Sequence, residues 1–231
     1  MHMLGWIMFD PLYWVMLAPA LLIAMWAQVK VKSAYARAGK IPASSGLSGA
    51  ETAQRILNAN GISDVAIEPV QSFLGDHYDP RNKVLRLSPE VYQGRSLASL
   101  GIAAHEVGHA IQDATGYAPL AFRNGLVPMA SIGTNVGVWL VIGGMLLGIS
   151  GLATIGIGLY AAVVLFQLVN LPVEFNASSR ARRILVDQGM VTPQEDQVVG
   201  KVLSAAAMTY VAATLSAILT LLYLIMRSRR N

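Results

Sequence analysis

Charged residues are absent from this chain over three long intervals. Residues 11–29 lie between Asp10 and Lys30, residues 124–173 between Arg123 and Glu174, and residues 202–226 between Lys201 and Arg227. A helix needs about 20 apolar residues to cross the hydrocarbon core of a bilayer. The outer two intervals fit one crossing each, and the middle one fits two with a turn near Ser150-Gly151. The pattern predicts membrane-spanning helices at 8–28, 127–148, 152–171 and 205–226. The first reads as an anchor rather than a signal peptide. It lacks a basic leading region, and Lys30 and Lys32 stand where a cleavage site needs small neutral residues.

Between the spans the periodicity changes. Residues 29–126 read as a soluble α+β part and 172–204 as a helical segment. Ser48-Gly49-Ala50-Glu51 is a capping box that opens a helix, which Asn60-Gly61 closes. Val65-Ala66-Ile67 and Lys83-Val84-Leu85-Arg86-Leu87 predict short strands, with a turn at Asp79-Pro80-Arg81-Asn82. Ser88-Pro89-Glu90 starts a short helix. A longer one is expected over Leu97–Ala114, stopped by Gly116, and Thr192-Pro193-Gln194-Glu195 opens the last. The fold class expected is a mainly α membrane protein with about four transmembrane helices and a small α+β domain.

Composition agrees with a membrane chain. Hydrophobic residues make up 54% and charged residues only 13%, where a soluble domain carries about a quarter charged. The net charge of +4 has no long basic run behind it, so no nucleic-acid partner is expected. With four crossings, 29–126 and 172–204 share one side, which holds 14 of the 17 Lys and Arg. Lys30, Lys32, Arg37, Arg123, Arg180, Arg182 and Arg183 flank the spans, which makes that side cytoplasmic by the positive-inside rule. Arg227, Arg229 and Arg230 run against this assignment. Asn135 and Gln167, inside the spans, are expected to hydrogen-bond between helices, and the glycines at 133, 137, 143, 144 and 148 to permit close helix packing.

The chemistry concentrates in His105-Glu106-Val107-Gly108-His109. Histidines four apart on a helix share a face, about one turn apart, and can reach one metal ion. The adjacent glutamate is placed to take a proton from water at that metal, which is the H-E-x-x-H arrangement of zinc peptidases. Apolar neighbours such as Ile102, Ala104 and Val107 imply burial, and buried polar groups need partners. No cysteine is present, so thiolate ligands and disulfides are excluded. A catalytic zinc takes three protein ligands. Glu174, the first charged residue after 50 uncharged ones, returns to the membrane face that Arg123 left and is the best third ligand. Its competing reading is a first-turn carboxylate after Pro172. His77, Tyr78 and Arg180 are candidates to donate to a developing oxyanion or to touch substrate. Asp113 reads as a solvated helix-end residue. The strand 83–87 offers an edge to which an extended substrate could add.

The H-E-V-G-H stretch, followed after two hydrophobic spans by Glu174-Phe175-Asn176-Ala177-Ser178, resembles membrane zinc metallopeptidases. The nearest resemblance is to the bacterial YugP-like neutral zinc metallopeptidase family, carried also by Ser72–Leu87, with Asp76-His77-Tyr78-Asp79-Pro80, and by Ala103–Leu120. It covers most of the chain. More distantly the chain is similar to HtpX-type peptidases, whose Glu-x-x-x-Asp motif supplies the third zinc ligand. Mapped here, that glutamate is Glu174, and Ser178 stands where the aspartate would orient a ligand imidazole. The resemblance implies a zincin-like domain at the membrane surface and one Zn2+ per chain held by His105, His109 and Glu174, with Glu106 as general base. It also implies a bacterial inner (plasma) membrane, a bilayer partner, and a peptide or protein substrate, whether soluble or membrane-associated. A homo-oligomer is compatible with it.

Two rival readings remain at this point. A site-2-type intramembrane protease would carry its histidines inside an uncharged span, whereas this motif follows Arg81, Lys83, Arg86 and Arg95. A non-catalytic scaffold with structural zinc would need a closed, four-ligand site.

Overall fold

A computed structural model describes residues 11–71 and 75–228. The start of the first expected span at 8–10, Ser72–Leu74, and Arg229 and Arg230 of the basic tail lie outside the described residues. In chain order the elements are α1 (Pro11–Ala38), α2 (Gly49–Ala59), β1 (Ala66–Pro69), β2 (His77–Asp79), β3 (Val84–Leu87), α3 (Pro89–Tyr92) and α4 (Leu97–Ala114). They continue with α5 (Ala118–Ile132), a π-helical turn (Gly133–Gly137), α6 (Val138–Leu147), α7 (Ser150–Asp187) and α8 (Pro193–Ser228). Four helical stretches are long and apolar enough to cross a membrane: α1, the run from α5 to α6, α7 and α8. The chain is a mainly α membrane protein with a small α+β part.

Two compact units form. One holds Phe122–Leu171 and the described parts of Met1–Gln28 and Thr209–Asn231. Within it the hairpin turns at Gly148, whose left-handed φ of 69° caps α6, and the two arms meet backbone to backbone. A Cβ on Gly133 would lie 2.3 Å from Leu159 O, and one on Gly156 would lie 2.5 Å from Gly137 O. Small residues at these positions are what lets the arms approach so closely.

The other unit holds Val29–Ala121 and Pro172–Met208. Its core gathers Ile56 and Leu57 of α2, Leu85 and Leu87 of β3, Leu97, Leu100 and Val107 of α4, and Leu185 of α7, all fully buried. The apolar stripe Leu97, Leu100, Ala104, Val107, Ile111 recurs at alternating spacings of three and four, which turns one face of α4 inward. Ser48 and Glu51 cap α2 reciprocally, Ser48 N–H to Glu51 Oε2 at 2.6 Å and Glu51 N–H to Ser48 Oγ at 3.2 Å.

Three strands pair in the order β1-β3-β2, with β1 parallel and β2 antiparallel to β3. Two expectations are corrected here. The strand at 84–87 is central, so the sheet's edges belong to β1 and to β2, a strand that local pattern leaves as loop. Glu174 does not begin a new helix after Pro172, because α7 runs unbroken through Pro172 from Ser150 to Asp187. The first-turn reading of Glu174 falls with it.

Candidate metal centre

His105 and His109 leave α4 on one face, with ring centroids 4.9 Å apart and planes at 85°. Glu174 of α7 meets both. Its Oε2 lies 3.3 Å from His105 Nε2 and 3.6 Å from His109 Nε2, and the three ligand atoms fall within 4.8 Å of one another. The Glu174 side chain is only 4% exposed, yet Oε2 accepts no hydrogen bond of ordinary geometry. A buried carboxylate oxygen left in that state is costly, and a cation between the three groups would satisfy it. Two imidazole nitrogens and one carboxylate form a donor set suited to zinc. These residues fit a metal ion.

The far sides of both rings are engaged. Ser178 Oγ is 3.1 Å from His105 Nδ1, and Gln112 Oε1 is 3.0 Å from His109 Nδ1. With each Nδ1–H donating outward, each Nε2 presents its lone pair to the centre. Gln112, fully buried, is held in turn, its Nε2 donating to Val173 O at 2.9 Å and to Asn176 Oδ1 at 3.0 Å. The two helices can lie this close because α4 carries glycine at the crossing, where a Cβ on Gly108 would meet Ala177 O at 2.8 Å.

Glu106 is half-buried beside the pair. The Tyr78 N–H of β2 donates to its Oε2 at 3.2 Å. Seven residues on, Asp113 accepts from Tyr78 Oη at 2.8 Å and from Lys83 Nζ at 2.6 Å. The β2–β3 hairpin is therefore pinned to α4 at two points two turns apart, and Asp113 is a clamp rather than a solvated helix end.

The charges are shifted as this packing requires. Burial raises the Glu106 carboxyl above its usual range, and the two imidazoles offset this only in part. Burial also opposes ionisation of Glu174, but its contacts with His105 and His109 outweigh that and hold it well below the usual carboxylate range. Burial disfavours the charged form of His109, yet Glu174 and Glu106 raise it above its ordinary value. Glu174 is thus poised as an anion, the form a metal ligand needs.

Of the residues singled out from the sequence, His105, Glu106, His109, Glu174 and Ser178 come together. Tyr78 joins them through its backbone, while its ring runs toward Asp113. His77 faces the other way. Its Nδ1 lies 2.7 Å from Gly75 O and its Nε2 3.4 Å from Arg86, on the side of the sheet opposite Tyr78, as strand alternation dictates. Arg180 donates from Nε to Asn176 Oδ1 at 2.7 Å and sits over the Tyr117 ring. Gln112 and Asn176 are the supports that motif reading passes over. The signal for Gln112 was its place three residues after His109, a polar side chain on the same helical face.

A family model described as "Putative neutral zinc metallopeptidase" matches residues 13–229. The chain belongs to this family. It is 51% identical over 207 residues to a protein of Bacillus subtilis (strain 168) named "Putative membrane protease YugP", covering 90% of this chain and 92% of that relative. No solved structure matches. Ser178→Ala is expected to leave His105 Nδ1 without its acceptor and to weaken zinc binding by about 10–100-fold, measured by competition with a chromogenic chelator. An unchanged affinity would remove Ser178 from the site.

Proposed function

We propose that this chain is an integral membrane zinc metalloendopeptidase. The observation that carries the reading is the convergence of His105 Nε2, His109 Nε2 and the orphaned Glu174 Oε2 beside the carboxylate of Glu106. One Zn2+ per chain would be held by His105, His109 and Glu174. When bound, zinc supplies Lewis acidity, making water a stronger acid and a scissile carbonyl a better electrophile.

The rest is done by the chain. Glu106 accepts the proton of the attacking water at Oε2, the oxygen already oriented by Tyr78 N–H, and returns it to the leaving amine. Ser178 and Gln112 fix the two imidazoles. An extended peptide would add at the β2 edge through backbone groups other than the Tyr78 N–H, which donates to Glu106. Arg180 is the side chain assigned to contact substrate or the developing oxyanion, because the Tyr78 hydroxyl is donated to Asp113. Held by three ligands, a four-coordinate zinc would keep one position for water, unlike a closed structural site. The motif also lies on α4, which is not one of the membrane-crossing helices, so soluble or juxtamembrane peptide segments are the substrates this reading favours.

In this reading the spans are 8–28, 127–148, 152–171 and 205–226. Segments 29–126 and 172–204 build the peptidase part on the cytoplasmic face of a bacterial plasma membrane. The test is metal content and hydrolysis on the purified full chain in detergent. One zinc per chain and cleavage of an unstructured peptide pool are expected, both lost with a chelator and regained with added zinc. Full zinc retention after Glu174→Ala, or zinc-loaded protein that cleaves no peptide, would overturn it.

A further inference from the structure

Asn135 lies at the most expensive depth a polar side chain can occupy. Twelve residues separate it from Arg123 on one side and from the end of α6 at Leu147 on the other, about 18 Å of helix each way. That places it near the midplane of a hydrocarbon core about 30 Å thick. It is exposed rather than turned into the hairpin, as are Ser131 and Thr134. The Thr134 hydroxyl is satisfied by Ala130 O at 2.9 Å. Asn135 is satisfied by half: Nδ2 donates to Ser131 O at 2.9 Å and reaches Ser131 Oγ at 3.5 Å. Its Oδ1 accepts nothing, and the Ser131 hydroxyl proton finds no acceptor, among the described residues.

In water such groups would be solvated and need no explanation. In hydrocarbon they require a protein partner. The expected interhelical bond of Asn135 is not made to any described helix of its own chain. We propose that this face of the α5–α6 helix binds a second copy of the chain within the bilayer, with Ser131 and Asn135 at its centre.

The choice of a second copy follows from the chemistry. A side-chain amide carries both donor and acceptor, so two asparagines related by a two-fold axis satisfy each other reciprocally. A second copy in the same membrane brings an identical amide to an identical depth, whereas a different protein would need a matching polar group at the midplane by coincidence. The surround suits helix packing as well. Ile132, Val136 and Trp139 are 48%, 44% and 64% exposed about the polar pair, and the chain carries no charged residue between Arg123 and Glu174.

The chain has no cysteine, which makes the test direct. The full-length protein carrying I132C, V136C or W139C is reconstituted in phospholipid vesicles and oxidised. A species of twice the chain mass is expected at these positions and not at L165C or L168C, which are exposed on α7. N135V is expected to weaken self-association about tenfold, read by energy transfer between labelled copies as the protein is diluted with lipid, and N135Q to restore most of it. Unchanged helix content by circular dichroism separates this loss from misfolding. The proposal is overturned by equal cross-linking at 165 and 168, by none at 132, 136 and 139, by an association that N135V leaves untouched, or by cross-links in native membranes that join this face only to a different protein.

Discussion

Replacing Glu106 with Gln is expected to lower kcat/KM for peptide hydrolysis by about 10²–10⁴-fold while leaving zinc bound at one per chain. Gln keeps the size of the side chain and an oxygen that can still accept from Tyr78 N–H, now 3.2 Å from Glu106 Oε2. None of the three groups that converge on the metal position is altered. What disappears is a carboxylate able to take a proton from water and give it to an amine. The effect belongs in kcat, because a proton transfer is made in the transition state and not in the ground-state complex. Metal content, KM and kcat measured on the same preparation separate the outcomes. Hydrolysis at the parental rate would show that another group is the base. Loss of zinc together with activity would show that Glu106 supports the metal instead.

What the sequence displayed of this site depends on how local each relation is. The histidine pair and Glu106 sit within five residues of one helix, so helical geometry alone relates them. Glu174 became readable only through topology, because two crossings by the uncharged interval 124–173 would return the chain to the face it left. Pro172 misled that reading, since it looks like a break. A proline removes one helical hydrogen bond and can kink a helix without ending it. As a result α7 continues and delivers Glu174 and Ser178 one turn apart on a single rigid element.

Strand β2 was not readable, because His77-Tyr78-Asp79 is three residues long, ends at Pro80 and shows no apolar alternation. Its pairing with β3 also determines which strands are the edges, a relation that no local pattern contains. The partners Gln112 and Asn176 lie 64 residues apart and are joined only by the crossing of α4 and α7.

That crossing itself carries the second large effect. Gly108→Ala is expected to destabilise the fold by about 1–3 kcal/mol and to reduce hydrolysis by about 10²-fold, although alanine is the better helix former. The new Cβ would stand 2.8 Å from Ala177 O and 3.2 Å from Ala177 Cα. These are backbone atoms of α7, so no flexible side chain can yield, and the helices must separate. Glu174 and Ser178 flank Ala177 on α7, and both face α4. A shift of α7 therefore moves the Glu174 carboxylate and the His105 support together, and a misplacement of about 1 Å at reacting groups costs on the order of 10²-fold in rate. Gly125→Ala serves as the comparison, since it is also helical and a Cβ there meets nothing within 4 Å. It should leave thermal stability, zinc affinity and hydrolysis essentially unchanged. Were Gly108→Ala to behave the same way, the close approach of α4 and α7 would not be what holds the third ligand in place.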